Sequence, residues 1–292
     1  MRLIISADYH LRPTQPRCRT NENWRVSQTS VLRQIVKYAN EYKTKLVIVG
    51  DIFHTAKVPP WVENLFLRYM QKVTEGVYVI PGNHDLPYHS IKSLYESSFG
   101  VISQGTNIHS LTELGQTIYY GTDEIVGTTE TGLLFLHTLV FPDEKSIPPN
   151  TKARTAAQLL KEYPDCKWIF TGDMHRSFHF EKNRRHVVNP GCILRQTADL
   201  VNYQPVVYFV DTEKEEVTAL PLIDNVEFIT TEYLEKEKER KERIGVIVEM
   251  VQKSMGKVYL DFRETLLSGL SIFDEDPLVK NEVLSILEEA EK

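Results

Sequence analysis

The chain has 292 residues, a length that fits one large domain or one domain with a small appendage. Hydrophobic residues make up 41% and charged residues 25%, which excludes a disordered or fibrous chain. A net charge of -6 excludes a dedicated polycationic nucleic-acid binder, so any such contact has to be local, metal-assisted or shared with a partner.

Residues 3–6 read as a buried strand, and 23–42 as a helix through Val31, Leu32, Ile35, Val36 and Ala39. The apolar run 46–49 ends in Gly50-Asp51, the pattern of a strand buried on both faces and followed by a loop. Pro59-Pro60 starts a predicted helix over 61–73, and 77–80 is a third strand ending in Pro81-Gly82. This alternation predicts a parallel sheet covered by helices. The middle of the chain changes character: short strands are predicted at 118–120, 133–136, 168–170, 187–188 and 206–210, with one helix over 151–163 and an edge strand at 217–222. Two sheets packed between helices accommodate the pattern. Beyond 224 come a charge-dense run at 232–243, a strand at 256–262 and an amphipathic helix at 277–291. The expected division is 1–223 for the main domain and 224–292 for a small α/β appendage that caps the site or binds a partner.

Metal-ligand chemistry recurs where the predicted strands end, the place where open α/β sheets bind ligands. Asp8 and His10 follow the first strand, Asp51 and His54 the second, and Asn83, His84 and Asp85 the third. His137 follows 133–136, and Thr171-Gly172-Asp173-Met174-His175 continues from 168–170. A single histidine or aspartate at a strand end is more often a surface loop residue. Five such endings rich in oxygen and imidazole ligands are the signature of a metal site. His89, His109, His179 and His186 read as ordinary surface or strand residues. Arg176, Arg184, Arg185 and Arg195 read as solvated charges, with phosphate contact as the alternative.

The series D-x-H, G-D-x-x-H, G-N-H-D, lone His and G-x-x-H resembles the calcineurin-like metallophosphoesterases over roughly residues 1–210. Phe53-His54, and Asn189-Pro190-Gly191-Cys192 followed by Arg195, resemble the SbcD-type DNA double-strand-break repair exonuclease branch. The resemblance implies a four-layer α-β-β-α sandwich with two divalent metal ions. Asp8, His10 and His175 would hold one ion, Asn83, His137 and Asp173 the other, and Asp51 would bridge them. His84, paired with Asp85, would be the acid for the leaving oxygen, and His54 would position the substrate phosphate. Two such ions about 3.5–4 Å apart clamp the attacking and leaving oxygens of an in-line displacement. Mixed carboxylate, amide and imidazole ligands suit manganese, with iron, zinc and magnesium as alternatives.

One position departs from the family pattern. Gly172-Asp173-Met174-His175 has Asp173 where G-H-x-H relatives have histidine. With Asp173 as a ligand, counting three carboxylates against two divalent ions leaves about +1 in place of about +2. A harder site, biased toward manganese or magnesium, is the expectation.

Three functions stay open at this point. The first is a metal-dependent DNA exonuclease or endonuclease of the repair-recombination type. The second is a phosphatase or phosphodiesterase acting on a nucleotide, small molecule or phosphoprotein. The third is an assembly subunit for an SbcC-type coiled-coil ATPase. A homodimer is a further assembly. Cys18, Cys166 and Cys192 form no C-x-x-C pair, and their odd number argues against a disulfide framework. Residues 1–6 show no signal-peptide core, and no apolar run reaches the roughly 18 residues of a membrane span. A cytoplasmic protein without membrane contact is the expectation.

Overall fold

The computed structural model describes residues 1–20, 23–119, 125–127, 130–149, 151–224, 229–230 and 232. The chain divides into two compact units, Met1–Ile229 and Thr230–Lys292. The elements expected at 256–262 and 277–291, and the run 232–243 apart from Glu232, lie outside the described residues.

The first unit opens with β1 (Arg2–Ser6), α1 (Trp24–Glu41), β2 (Lys45–Val49), α2 (Pro60–Met70), β3 (Val77–Ile80), α3 (Ser98–Ile102) and β4 (Ile108–Ser110). It continues through β5 (Gln116–Ile118), β6 (Ile125–Val126), β7 (Leu133–His137), β8 (Val140–Phe141), β9 (Arg154–Thr155) and α4 (Ala156–Glu162). The last strands are β10 (Trp168–Gly172), β11 (Phe178–Lys182), β12 (Arg185–Asn189), β13 (Val206–Asp211) and β14 (Glu216–Pro221). One six-stranded sheet runs β14-β13-β1-β2-β3-β4, a second runs β11-β12-β10-β7-β5-β6, and β8 pairs with β9 in a small two-stranded sheet. In the first, β1 to β4 are parallel and β13 and β14 are antiparallel additions. In the second, β5, β7, β10 and β12 are parallel and β6 and β11 close the edges antiparallel.

Strand alternation sorts the side chains into layers. Ile4, Leu46 and Ile48 pack with Val31, Leu32 and Ile35 of α1 and Val62 and Phe66 of α2. Their neighbours Leu3, Ile5, Val47 and Val49 face the other way, onto Leu133, Phe135, Trp168 and Phe170 of the second sheet. Leu134, Leu136 and Ile169 then meet Leu159 and Leu160 of α4. The result is helix, sheet, sheet, helix, the four-layer α-β-β-α order the resemblance implies. Both central sheets are apolar on both faces, which is why their strands read as continuous apolar runs.

Some boundaries differ from the sequence reading. α4 begins five residues later than expected, because Thr155 forms a capping box with Gln158 and sets its start. β5 lies two residues earlier than 118–120. β11 was not expected at all: its residues are half-buried or exposed, so no apolar run marks it. Asp224 is buried between Arg19 and Arg195, at 2.8 Å and 3.3 Å, so it packs within the first unit and not in the appendage. Arg195 is therefore neither solvated nor turned to phosphate. Arg185 donates to the carbonyls of Leu160, Tyr163 and Cys166 behind α4, and Arg184 pairs with Glu215. Among the described residues no helix is long and apolar enough to cross a membrane.

Candidate metal centre

The carboxyl ends of β1, β2, β3, β7 and β10 converge, and the loops leaving them are tied backbone to backbone. Asp8 N–H donates to the Gly50 carbonyl, His10 N–H to Asp51, and His54 N–H to Leu11. The φ angles of Asp8, His10, Asp51 and Asp173 are 51°, 44°, 52° and 76°. Four non-glycine residues in the left-handed region at one place is strain of the kind held at functional sites. Glycines supply the remaining room. A Cβ on Gly82 would lie 2.1 Å from Asp51 Oδ1, and one on Gly172 would lie 2.2 Å from the Val49 carbonyl and 2.5 Å from His137 Nδ1.

Two ligand-distance groups result. Asp8, His10 and His175 bring their ligand atoms within 4.8 Å of one another, and so do Asp8, Asp51 and His137. His10 Nε2 and His175 Nε2 face each other at 3.1 Å. Two nitrogens about 2.0–2.1 Å from one tetrahedral ion sit about 3.3 Å apart, so this spacing suits a shared cation. His137 Nε2 lies 3.3 Å from Asp51 Oδ2 and 3.2 Å from Asn83 Oδ1. Its Nδ1 donates to the Val49 carbonyl at 2.8 Å, which directs the Nε2 lone pair into the site. Asp51 Oδ1 accepts the His84 N–H, while Oδ2, buried between His10 and His137, has no hydrogen-bond partner. A buried carboxylate oxygen in that position fits a bridging ligand.

The electrostatics of the bare cluster point the same way. Burial pushes the Asp8 carboxyl up to about 8, partly opposed by His137 and reinforced by Asp51. For Asp51, burial is outweighed by His137 and His10, and its carboxyl ends below the ordinary range. Burial also lowers His137, but Asp51, Asp8 and Asp173 overcome it and raise the imidazole to about 10. Burial lowers His10 and His175, favouring the neutral form that binds metal. Divalent cations would balance this concentration of buried carboxylates.

One expectation needs correction. His84 is not paired with Asp85: its Nδ1 donates to the His54 carbonyl at 2.8 Å. The Asp85 carboxylate instead accepts three backbone N–H groups, from Ile52, Phe53 and Gly82, at 2.8–3.0 Å. It binds the second and third loops together. Burial raises its carboxyl to about 7, with the Asp51 charge adding to the shift. Asp173 lies beside the centre, and its N–H donates to both oxygens of Asp8 at 3.0 and 3.2 Å. Its carboxylate feels the charges of His137, Asp51 and His175.

His54, His10 and His84 form a third cluster at the rim, with the His54 and His84 rings stacked at 5.6 Å. Burial, then the charges of Arg12 and His84, lower His54 to about 4. Arg12 is a residue the sequence reading missed. Gln28 clamps its backbone at 2.9 and 3.2 Å, and an isolated loop arginine carries no pattern.

The model for the calcineurin-like phosphoesterase superfamily domain matches residues 1–215. The chain belongs to this superfamily. As a calcineurin-like phosphoesterase it has the metal-binding, hydrolytic architecture of that group, in which a dimetal centre is the family's arrangement. No curated protein matches the chain. Among solved structures it is similar to an archaeal phosphodiesterase, at 17% identity and a TM-score of 0.41, covering 76% of this chain and 100% of that one. A Thermus thermophilus protein matches at 11% identity and a TM-score of 0.47, over 75% of this phosphoesterase and 98% of that chain. A dimetal phosphatase from Danio rerio matches at 11% identity and a TM-score of 0.46, over 76% and 96%.

Proposed function

We propose that the chain is a metal-dependent phosphodiesterase acting on DNA, a nuclease of the repair-recombination type. The buried Asp51 Oδ2, set between His10 at 3.6 Å and His137 at 3.3 Å with no hydrogen bond, carries the two-metal part of this reading. Asp8, His10 and His175 would hold one ion, and Asn83 and His137 the other, with Asp51 shared. Manganese is the ion we propose first. Two bound divalent ions supply charge stabilisation on both oxygens of an in-line displacement.

The chain's own groups account for the rest. A carbonyl can only accept, so His84 Nδ1 carries a proton toward His54, and in the imidazolium form the second proton, on Nε2, would be the one passed to a leaving oxygen, leaving the neutral Nδ1–H imidazole. The His54 carbonyl thereby positions His84, the part given to Asp85 in the sequence reading. His54, with the Arg12 charge acting on it, would position the substrate phosphate, whose non-bridging oxygens suit their donors. DNA as the substrate is supported by Phe53-His54 and Asn189-Pro190-Gly191.

Manganese-loaded full-length chain is to be assayed on end-labelled single- and double-stranded DNA and, in parallel, on bis-p-nitrophenyl phosphate. Degradation of DNA that requires Asp51 and His84 is the expected result. Turnover of the small ester with no cleavage of any DNA would sink the nuclease reading and leave a small-molecule phosphoesterase.

A further inference from the structure

A second group of metal-ligand side chains lies outside this centre, on the edge hairpin formed by β11 and β12. Antiparallel register sets Glu181 directly opposite His186. His179, two residues from Glu181, points to the same side of the strand. The ligand atoms of His179, Glu181 and His186 lie within 4.8 Å of one another. His179 Nε2 is 3.1 Å from His186 Nδ1, and Glu181 Oε2 is 4.0 Å from that same nitrogen.

The three residues differ in how firmly they are held. His186 is buried, and its ring stacks on Trp168 of the neighbouring strand at 3.9 Å and 13°. That contact fixes the ring and aims Nδ1 at the other two. His179 and Glu181 are exposed, which gives a metal access from solvent and lets the Glu181 carboxylate rotate inward by a few tenths of an ångström. Lys167, whose charge acts on His186, and Arg184, which feels the Glu181 charge, are both engaged by Glu215 at 2.6 Å. Burial lowers both imidazoles, so they are neutral and able to act as ligands at neutral pH.

We infer that His179, Glu181 and His186 form a further divalent-metal site of zinc type, with two imidazoles, one carboxylate and water completing a tetrahedron. Two nitrogens and one carboxylate oxygen are a donor set that zinc accepts, and one that suits it better than magnesium or calcium. Its role is structural. The hairpin begins three residues after His175, and it ends at Asn189, whose side-chain N–H groups donate to the Met174 and Arg176 carbonyls on either side of His175. A metal joining the two strands would brace the loop that carries His175.

The test counts metal in the full-length chain, stripped with chelator and dialysed against buffered micromolar zinc. The parent is compared with His179→Ala and Glu181→Ala, both at exposed positions. The expected result is one zinc equivalent fewer in each variant. The difference is informative however many ions the other centre holds, so it does not depend on the proposed function. Equal zinc content in parent and variants overturns the site. A further zinc equivalent that the parent takes up only at millimolar concentration also overturns it.

Discussion

At the residue scale the decisive contrast is between two neighbours, His84 and Asp85. His84 is proposed as the acid for the leaving oxygen and not as a metal ligand. His84→Ala is therefore expected to keep its metal content while turnover of bis-p-nitrophenyl phosphate falls by about 10²–10⁴. Asp85 does something else: it satisfies three buried N–H groups. Leaving them unpaired costs about 3 kcal/mol or more. In a domain of this size that lowers Tm by about 6–12 °C, so Asp85→Ala should melt well below His84→Ala in a thermal scan. Asp51→Asn is expected to lose metal from both positions together, read by elemental analysis. Two ions at full occupancy in that variant would remove the bridging role.

The same buried groups give the metal-stripped protein a pH signature. Asp8 and His137 hold protons in the folded state up to about 8 and about 10, above their ordinary values of 3.8 and 6.5. Between pH 7 and 8 the folded chain therefore binds more protons than the unfolded one, and stability falls as pH rises, by about 1 kcal/mol per pH unit or more. His137 continues the trend toward its folded value. Urea melts of stripped protein between pH 7 and 9 should show this decline, and manganese-loaded protein should show much less of it. A flat profile for the stripped protein would contradict the burial of these two groups.

At the element scale, three of the five strands of the centre, β2, β3 and β10, run into a glycine, at Gly50, Gly82 and Gly172. Gly82 and Gly172 touch Asp51 and His137 so closely that a methyl group has no room. Gly82→Ala is expected to weaken metal affinity by about 10–100-fold, measured by competition with a chelator, because it displaces the proposed bridging carboxylate. The strand ends were legible because apolar runs stop abruptly, at glycine in β2, β3 and β10 and at Ser6 and His137 in β1 and β7. The β11 hairpin was not, since half-exposed edge strands carry no such run. That is also why His179 and His186 read as ordinary residues until the register set them beside Glu181.

At the scale of the whole molecule, two sheets share one core and deliver their carboxyl ends to one place. His137 on the second sheet is held by the Val49 carbonyl on the first, so the centre is built across the sheet interface. Separating the sheets should therefore abolish metal binding and folding together. In a denaturant titration, metal release is expected to coincide with loss of the near-ultraviolet signal. A coiled-coil ATPase partner for the appendage remains a proposal. Light scattering of the full chain with a candidate ATPase would test it, and a chain that ignores every such ATPase would remove it.

The sequence by itself determined the superfamily, the alternation of strands and helices, and the candidate ligands that follow the strand ends. Those features are local: a strand period, a glycine at a strand end, a ligand two or three residues beyond it. Only the tertiary structure decided which candidate ligand atoms come within reach of one another, and that Asp85 ties loops while the His54 carbonyl orients His84. These depend on distances between side chains far apart in the chain, set by how the two sheets pack, and no spacing along the sequence encodes them.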